Sequence, residues 1–241
     1  RPPQAQRWAR NLLENPRLFS TPAGYFKKIT PQSLRMSGEQ KLKEGDAIAR
    51  QVESSNAAEL LFFSDKAQVY KLRASDFDDT KASVLGDYIP AKAQMDEGER
   101  AAAMVVTKDY SGFVLFVFEN GKAAKVELSA YQTKTNRRKL LNAYSDKSPL
   151  VCALYLPEDR EVLMTASSGR MLLFHTGLIA SKTTKNTQGV QAMNLKKGQR
   201  VLSCAPFAEG DLQNPGRYRK KLPALGALPD GEDTGGEQLS M

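Results

Sequence analysis

Cysteine and histidine are scarce in this chain of 241 residues, which carries two of the first and one of the second. Cys152 and Cys204 lie far apart in apolar surroundings, and no Cys/His spacing suits a metal site. So low a count also excludes a disulfide framework, and both thiols are expected to be reduced core residues of a cytoplasmic protein. His175 follows Phe174 in a strand-like run. Without a second histidine it has little from which to build a metal site or a paired nucleophile, and it is expected to be structural or on the surface. Long hydrophobic runs are missing too: none approaches the length of a membrane-spanning helix, so no membrane partner is expected. The longest, Phe113 to Phe118, reads as a buried strand. The start "RPPQAQRW" has no signal-peptide core behind it, and without an initiating Met the chain reads as a piece of something larger. Helical periodicity is weak everywhere except Gln6 to Leu13.

Positive charge and repetition are what the sequence does have. The net charge is +8; from Ala208 onward six acids outnumber four bases, and that tail's −2 leaves +10 on the rest. A basic body of this kind implies an anionic partner, nucleic acid before membrane surface. Four segments share one form: "LFSTPAGYFKKITPQSL" from Leu18, "LLFFSDKAQVYKLRASDF" from Leu60, "LFVFENGKAAKVELSAY" from Leu115 and "VLMTASSGRMLLFHTGLI" from Val162. In each, an apolar strand meets a tight turn and a second strand returns to an apolar anchor, namely Leu34, Phe77, Tyr131 or Leu178. The turns "PAG", "ENG" and "SSG" supply a residue with positive φ, whereas the second repeat has Lys66-Ala67 instead. After each anchor comes a polar, basic connector: "RMSGEQK", "DDTKASVLG", "QTKTNRRK" and "SKTTKNTQG".

The repeat length, roughly 45 to 55 residues, is that of propeller blades. A lone hairpin cannot bury its apolar face, so repeated hairpin units must stack. The expected fold is all-β, a propeller-like ring of about four four-stranded blades, with five blades or an irregular β-sandwich as alternatives. The ring is expected over residues 18–207, after a linker or short helix at 1–17. The Gly/Pro-rich acidic segment 208–241 is expected to be largely disordered, although a degenerate blade could hide before Leu18 or after Val201.

Binding a duplex without reading its bases requires cations spaced along a surface, because phosphates recur along the helix axis. The candidates are Lys27, Lys28 and Arg35 in the first repeat, and Lys71, Arg73 and Lys81 in the second. The third offers Lys134, Arg137, Arg138 and Lys139, the densest run, and the fourth Lys182 and Lys185. The competing reading is that such residues merely solvate strand edges. Tyr25, Phe63, Tyr70, Phe116, Phe118 and Phe174 are expected in blade cores rather than as base-stacking platforms. The acidic pairs Asp78-Asp79 and Glu97/Glu99 are expected to be solvated in turns. "RYRKK" from Arg217 could add a DNA contact or tie back the acidic tail.

The repeats, with "Gly-Val-x-x-Met-x-Leu-Lys-x-Gly" at Gly189 to Gly198, resemble the C-terminal β-pinwheel domain of type IIA topoisomerase A subunits, that is, of DNA gyrase or topoisomerase IV. The resemblance runs from about Leu18 to Ser203. It implies binding and bending of double-stranded DNA, which is presented to a catalytic core outside this chain. Further implied partners are that core and the ATPase subunit of an ATP-dependent parent enzyme near the nucleoid. No catalytic residue and no cofactor are expected in the domain itself. Gyrase carries a Gln-Arg-Arg-Gly-Gly-Lys-Gly box, whereas "RMSGEQKLKEGD" keeps only Arg35, Gly38 and Lys41. That departure argues against gyrase-type supercoiling and favours a topoisomerase IV-like or divergent gyrase-like subunit. The alternative function is a propeller-type protein-interaction platform; a free-standing propeller enzyme lacks a convergent His/Asp/Glu constellation.

Overall fold

In the first repeat β1 (Arg17–Ser20) and β2 (Tyr25–Ile29) form a hairpin, and β3 (Arg50–Glu53) pairs antiparallel with β1. The second repeat builds β4 (Glu59–Ser64), β5 (Val69–Arg73) and β8 (Ala101–Thr107) in the same way. Leu60, Leu61, Phe62 and Phe63 are all buried, because both faces of β4 are covered. The computed structural model describes residues 15–233, so the helix expected over Gln6 to Leu13 lies outside them, as does the end of the expected tail. The chain divides into two compact units, Arg1–Asp109 with Thr135–Leu141, and Tyr110–Lys134 with Asn142–Met241. The two hairpin sheets above belong to the first.

The second unit holds the other two sheets. One contains β9 (Phe113–Phe118), β10 (Lys122–Glu127) and β12 (Leu150–Leu156); the other contains β13 (Glu161–Ala166), β14 (Met171–His175) and β17 (Val201–Pro206). The fold is all-β, with four hairpin-based sheets of the kind the repeats predicted, two in each unit. The second, third and fourth repeats each contribute a turn of 3-10 helix at the anchor, Ala74–Asp76, Leu128–Tyr131 and Thr176–Leu178, where the first has a short α-helix, Pro31–Met36. One anchor is off by a residue: Leu178 is 54% exposed, and Ile179, at 2%, is the buried one. Cys204 is buried, and the neighbouring Cys152 thiol together with burial pushes its pKa well up.

The connectors do not stay with their own hairpins. β6 (Asp79–Thr80) and β7 (Asp87–Tyr88) follow the second hairpin in sequence yet pair with β2 of the first, one parallel and one antiparallel. β11 (Lys139–Leu140), from the third repeat, pairs with β5 of the second. β15 (Ser181–Lys182) and β16 (Val190–Gln191), from the fourth, pair with β10 of the third, again parallel and then antiparallel. Each of these repeats thus supplies the edge strand of the sheet before it. An otherwise exposed row of backbone donors and acceptors on the hairpin is thereby covered.

Strand β14 is covered by the segment that was expected to be disordered. Leu173 bridges Arg219 in parallel and Met171 bridges Ala227 antiparallel. This reproduces Lys28 with Asp79 and Phe26 with Asp87 in the first sheet, and Lys125 with Ser181 and Ala123 with Val190 in the third. A glycine precedes the antiparallel partner each time. Gly86, Gly189 and Gly226 have φ of 92°, 75° and 82°, and an added Cβ would lie 2.3, 2.1 and 2.8 Å from the carbonyl oxygens of Phe26, Ala123 and Met171. Tyr218 is fully buried beside Met171, Leu173 and Leu212, and its hydroxyl donates to Asp233 at 2.7 Å. The expectation of disorder over 208–241 is corrected for its described part. Composition suggested too little apolar surface for a core, but this segment docks on a core already built.

The second hairpin turn lacks glycine, yet its geometry is unchanged: Ala67 takes φ 55°. A β-carbon in this region costs roughly 1–2 kcal/mol. Ala67→Gly is therefore expected to stabilise the protein by about 1 kcal/mol, read as a higher urea midpoint at unchanged slope. A lower midpoint would show that the alanine is not strained.

Candidate nucleic-acid interface

The candidate cations fall into two groups with different chemistry. Arg35, Arg73, Lys81, Lys134, Arg137, Arg138, Lys139 and Lys182 are exposed, and Lys71 and Lys185 are half-buried. Arg137 and Arg138 lie on the segment entering β11, where the Arg138 carbonyl accepts from the Lys71 amide at 2.7 Å. That bond fixes the backbone of the basic run along a sheet edge. Lys139 follows, paired with Asp96 at 3.2 Å, and the hydrogen bonds from Lys139 and Gln68 hold the Asp96 carboxyl below its usual range. Lys81 and Lys182 lie on the connectors that supply edge strands to the first and third sheets.

Lys27 and Lys28 are not surface cations. Both are buried, and burial lowers the pKa of Lys27. The Lys27 ammonium donates to Gln40 Oε1 and to the carbonyls of Lys41 and Ala82 at 2.8–3.0 Å. Lys28 donates to Asn56 Oδ1 at 2.8 Å and to the Ala74 carbonyl at 3.0 Å, with Asp79 at 3.7 Å. Lys125 takes the same position in the third sheet, donating to Asp159 Oδ1 at 2.8 Å and to the Thr176 carbonyl at 3.1 Å. Ala74 and Thr176 open the 3-10 turns of the following repeats, so each lysine fastens one repeat to the next. These two candidate sites are corrected to structural ones: each ammonium is buried and turned towards carbonyls of the protein, away from any phosphate outside.

Lys71 is the equivalent residue in the second sheet. Burial lowers its pKa, opposed by the Glu59 charge. Glu99, expected to be solvated, is instead buried and accepts hydrogen bonds from Ser64 and Tyr70 and from the Asp96 amide at 2.9 Å. Desolvation and the Glu99 carboxylate push the Tyr70 phenol well up. Phe63, Tyr70, Phe116, Phe118 and Phe174 are core residues as expected, whereas Tyr25 is half-buried against Tyr88 at 5.4 Å. His175 is exposed, and its Nδ1 accepts from the Gly177 amide. Among the described residues no group of His, Cys, Asp and Glu could hold a metal ion, and no helix is long and apolar enough to cross a membrane.

The architecture has known counterparts. The family model for the DNA gyrase C-terminal domain, a β-propeller, matches residues 58–84 and 160–208. A solved C-terminal domain of DNA topoisomerase IV superposes with TM-score 0.77 at 21% identity, covering 89% of this chain and 72% of that one. The E. coli ParC C-terminal domain gives 0.67 at 13%, covering 90% and 95%. The fold that these comparisons share is that of the C-terminal domains of DNA gyrase and topoisomerase IV, to which this chain is similar. Its sequence relatives include the DNA gyrase A subunit of Mycobacterium bovis (strain BCG / Pasteur 1173P2), 23% identical over 186 residues, which are 75% of this chain. Another is the DNA gyrase A subunit of Mycoplasma genitalium, 24% identical over 170 residues and 69% of this chain. The chain spans 22% and 20% of the lengths of these two relatives.

Proposed function

We propose that this domain binds duplex DNA through its phosphates and bends it, presenting a segment to the catalytic core of a type IIA topoisomerase A subunit. The observation that carries this reading is the exposed pair Arg137 and Arg138, fixed by backbone pairing on the edge of a sheet. Cations on edge connectors contact phosphates without reading bases, and each neutralised phosphate releases counterions. Bending a site of this scale costs of order 1–6 kcal/mol, which several such contacts together offset. In this reading the domain needs no cofactor, its parent is an ATP-dependent enzyme with a separate ATPase subunit, and it works in the cytoplasm. The reduced box around Arg35, Gly38 and Lys41 favours a topoisomerase IV-like parent over a supercoiling one.

A salt titration of duplex binding tests the proposal. Affinity is expected to fall steeply between 50 and 200 mM KCl, and the double variant Arg137→Gln/Arg138→Gln to reduce the slope of log K against log salt by about 1.8, from roughly 0.9 per phosphate. A protein-interaction platform predicts no such slope. Salt-independent binding of DNA, or no binding, overturns the DNA reading.

A further inference from the structure

We propose that Lys220 and Lys221 form the DNA-contacting edge of the fourth sheet, on a strap that takes the place held in the first and third sheets by the connector of the following repeat. The inference rests on the duplex-binding reading above. Its basis is register. Arg219 pairs in parallel with Leu173 as Asp79 pairs with Lys28 and Ser181 with Lys125. Lys220 therefore takes the position of Thr80 and Lys182, and Lys221 that of Lys81 and Thr183. In each of the three edge segments at least one of these two positions carries an exposed lysine, and on the strap both do.

The residues around the two lysines divide the work. Arg219 makes a bidentate pair with Glu161, Nε to Oε2 at 2.7 Å and Nη2 to Oε1 at 2.9 Å, and the Lys220 amide donates to the Leu173 carbonyl. Arg217 Nε donates to the Leu228 carbonyl at 2.8 Å, and Arg170 Nη1 to the Gly226 carbonyl at 3.1 Å. Tyr218 is the buried plug. Arg217, Tyr218 and Arg219 thus fasten the strap, and Lys220 and Lys221 are left exposed upon it. The nearby acids are turned to local use. Asp230 accepts from Asn214 Nδ2 and Asp233 from the Gln213 amide and Tyr218. Carboxylates engaged in this way shape the strap's own turn rather than cover the lysines.

The test compares two double variants of the whole chain in duplex binding from 50 to 200 mM KCl. Lys220→Gln/Lys221→Gln is expected to lower the salt slope by about 1.8 and leave thermal unfolding unchanged, since both side chains are exposed. Lys196→Gln/Lys197→Gln removes the same charge from an exposed turn that belongs to no edge strand and is expected to change the slope far less. If both variants act equally, only net charge matters and the inference fails. If the wild type shows a steep slope that Lys220→Gln/Lys221→Gln leaves intact, the inference fails while the duplex-binding reading stands. A wild type without salt-dependent binding removes that reading, and the inference with it.

Discussion

Lys125→Met is expected to destabilise the domain by about 2–3 kcal/mol in urea denaturation. The Lys125 side chain is 5% exposed and bonds both Asp159 Oδ1 and the Thr176 carbonyl, so its loss leaves two acceptors short of a partner. Breaking a buried ion pair costs roughly 3–5 kcal/mol, and the low end applies because Asp159 is one-third exposed and water compensates in part. Lys139→Met is the contrast. Its partner Asp96 is half exposed, and a surface pair of this kind is worth about 0–1 kcal/mol. Equal losses in the two variants would deny Lys125 its fastening role. The pair also leaves a mark in pH. The Lys125 hydrogen bond is the main cause that holds the Asp159 carboxyl below its ordinary 3.8. Its stabilisation is present in full above that value and is lost as pH falls below it towards the folded-state pKa. Asp159→Asn is expected to flatten this part of the acid-unfolding profile.

Gly189→Ala is the second large effect, expected to cost about 3 kcal/mol or more and to release β15 and β16 from β10. The new Cβ would lie 2.1 Å from the Ala123 carbonyl oxygen and 2.5 Å from its carbon, and both atoms belong to a buried strand that cannot give way. The positive φ of 75° adds its own strain. Gly198 provides the control: its φ is 81°, but an added Cβ meets nothing within 4 Å. Gly198→Ala should therefore cost only about 1 kcal/mol. Hydrogen exchange distinguishes the two, with faster exchange along 181–191 only for Gly189→Ala. Protected amides there would show that the connector accommodates the methyl.

Why the sequence reveals some of this and conceals the rest follows from the range of each interaction. Strand β9 coincides with the run Phe113 to Phe118 because six apolar residues between turns have one cheap solution, a strand covered on both faces. Hairpin turns were legible from Gly24, Gly121 and Gly169, and even where Ala67 stands in, the strands on either side impose the same backbone. Lys27 and Lys28 were misread as rim cations because local pattern reports charge, not the carbonyls of Lys41, Ala82 and Ala74 that wait 14, 55 and 46 residues away. The exchange of edge strands was hidden for the same reason: a connector looks alike whether it flanks its own hairpin or the preceding one. The strap left one readable signal, Gly226 seven residues after Arg219, matching Gly86 after Asp79 and Gly189 eight after Ser181. A composition dominated by Gly, Pro and acids masked it.

Because every borrowed edge strand comes from farther down the chain, a nascent polypeptide leaving the ribosome completes each sheet one repeat late. The first hairpin waits with a bare edge until residues 79–88 have emerged, and β14 until Arg219 and Ala227 arrive. Cleavage at a boundary drawn between hairpins, such as just after Pro206, therefore does not yield a shorter version of the same body. It leaves a sheet with an open seam, able to recruit a strand from another molecule.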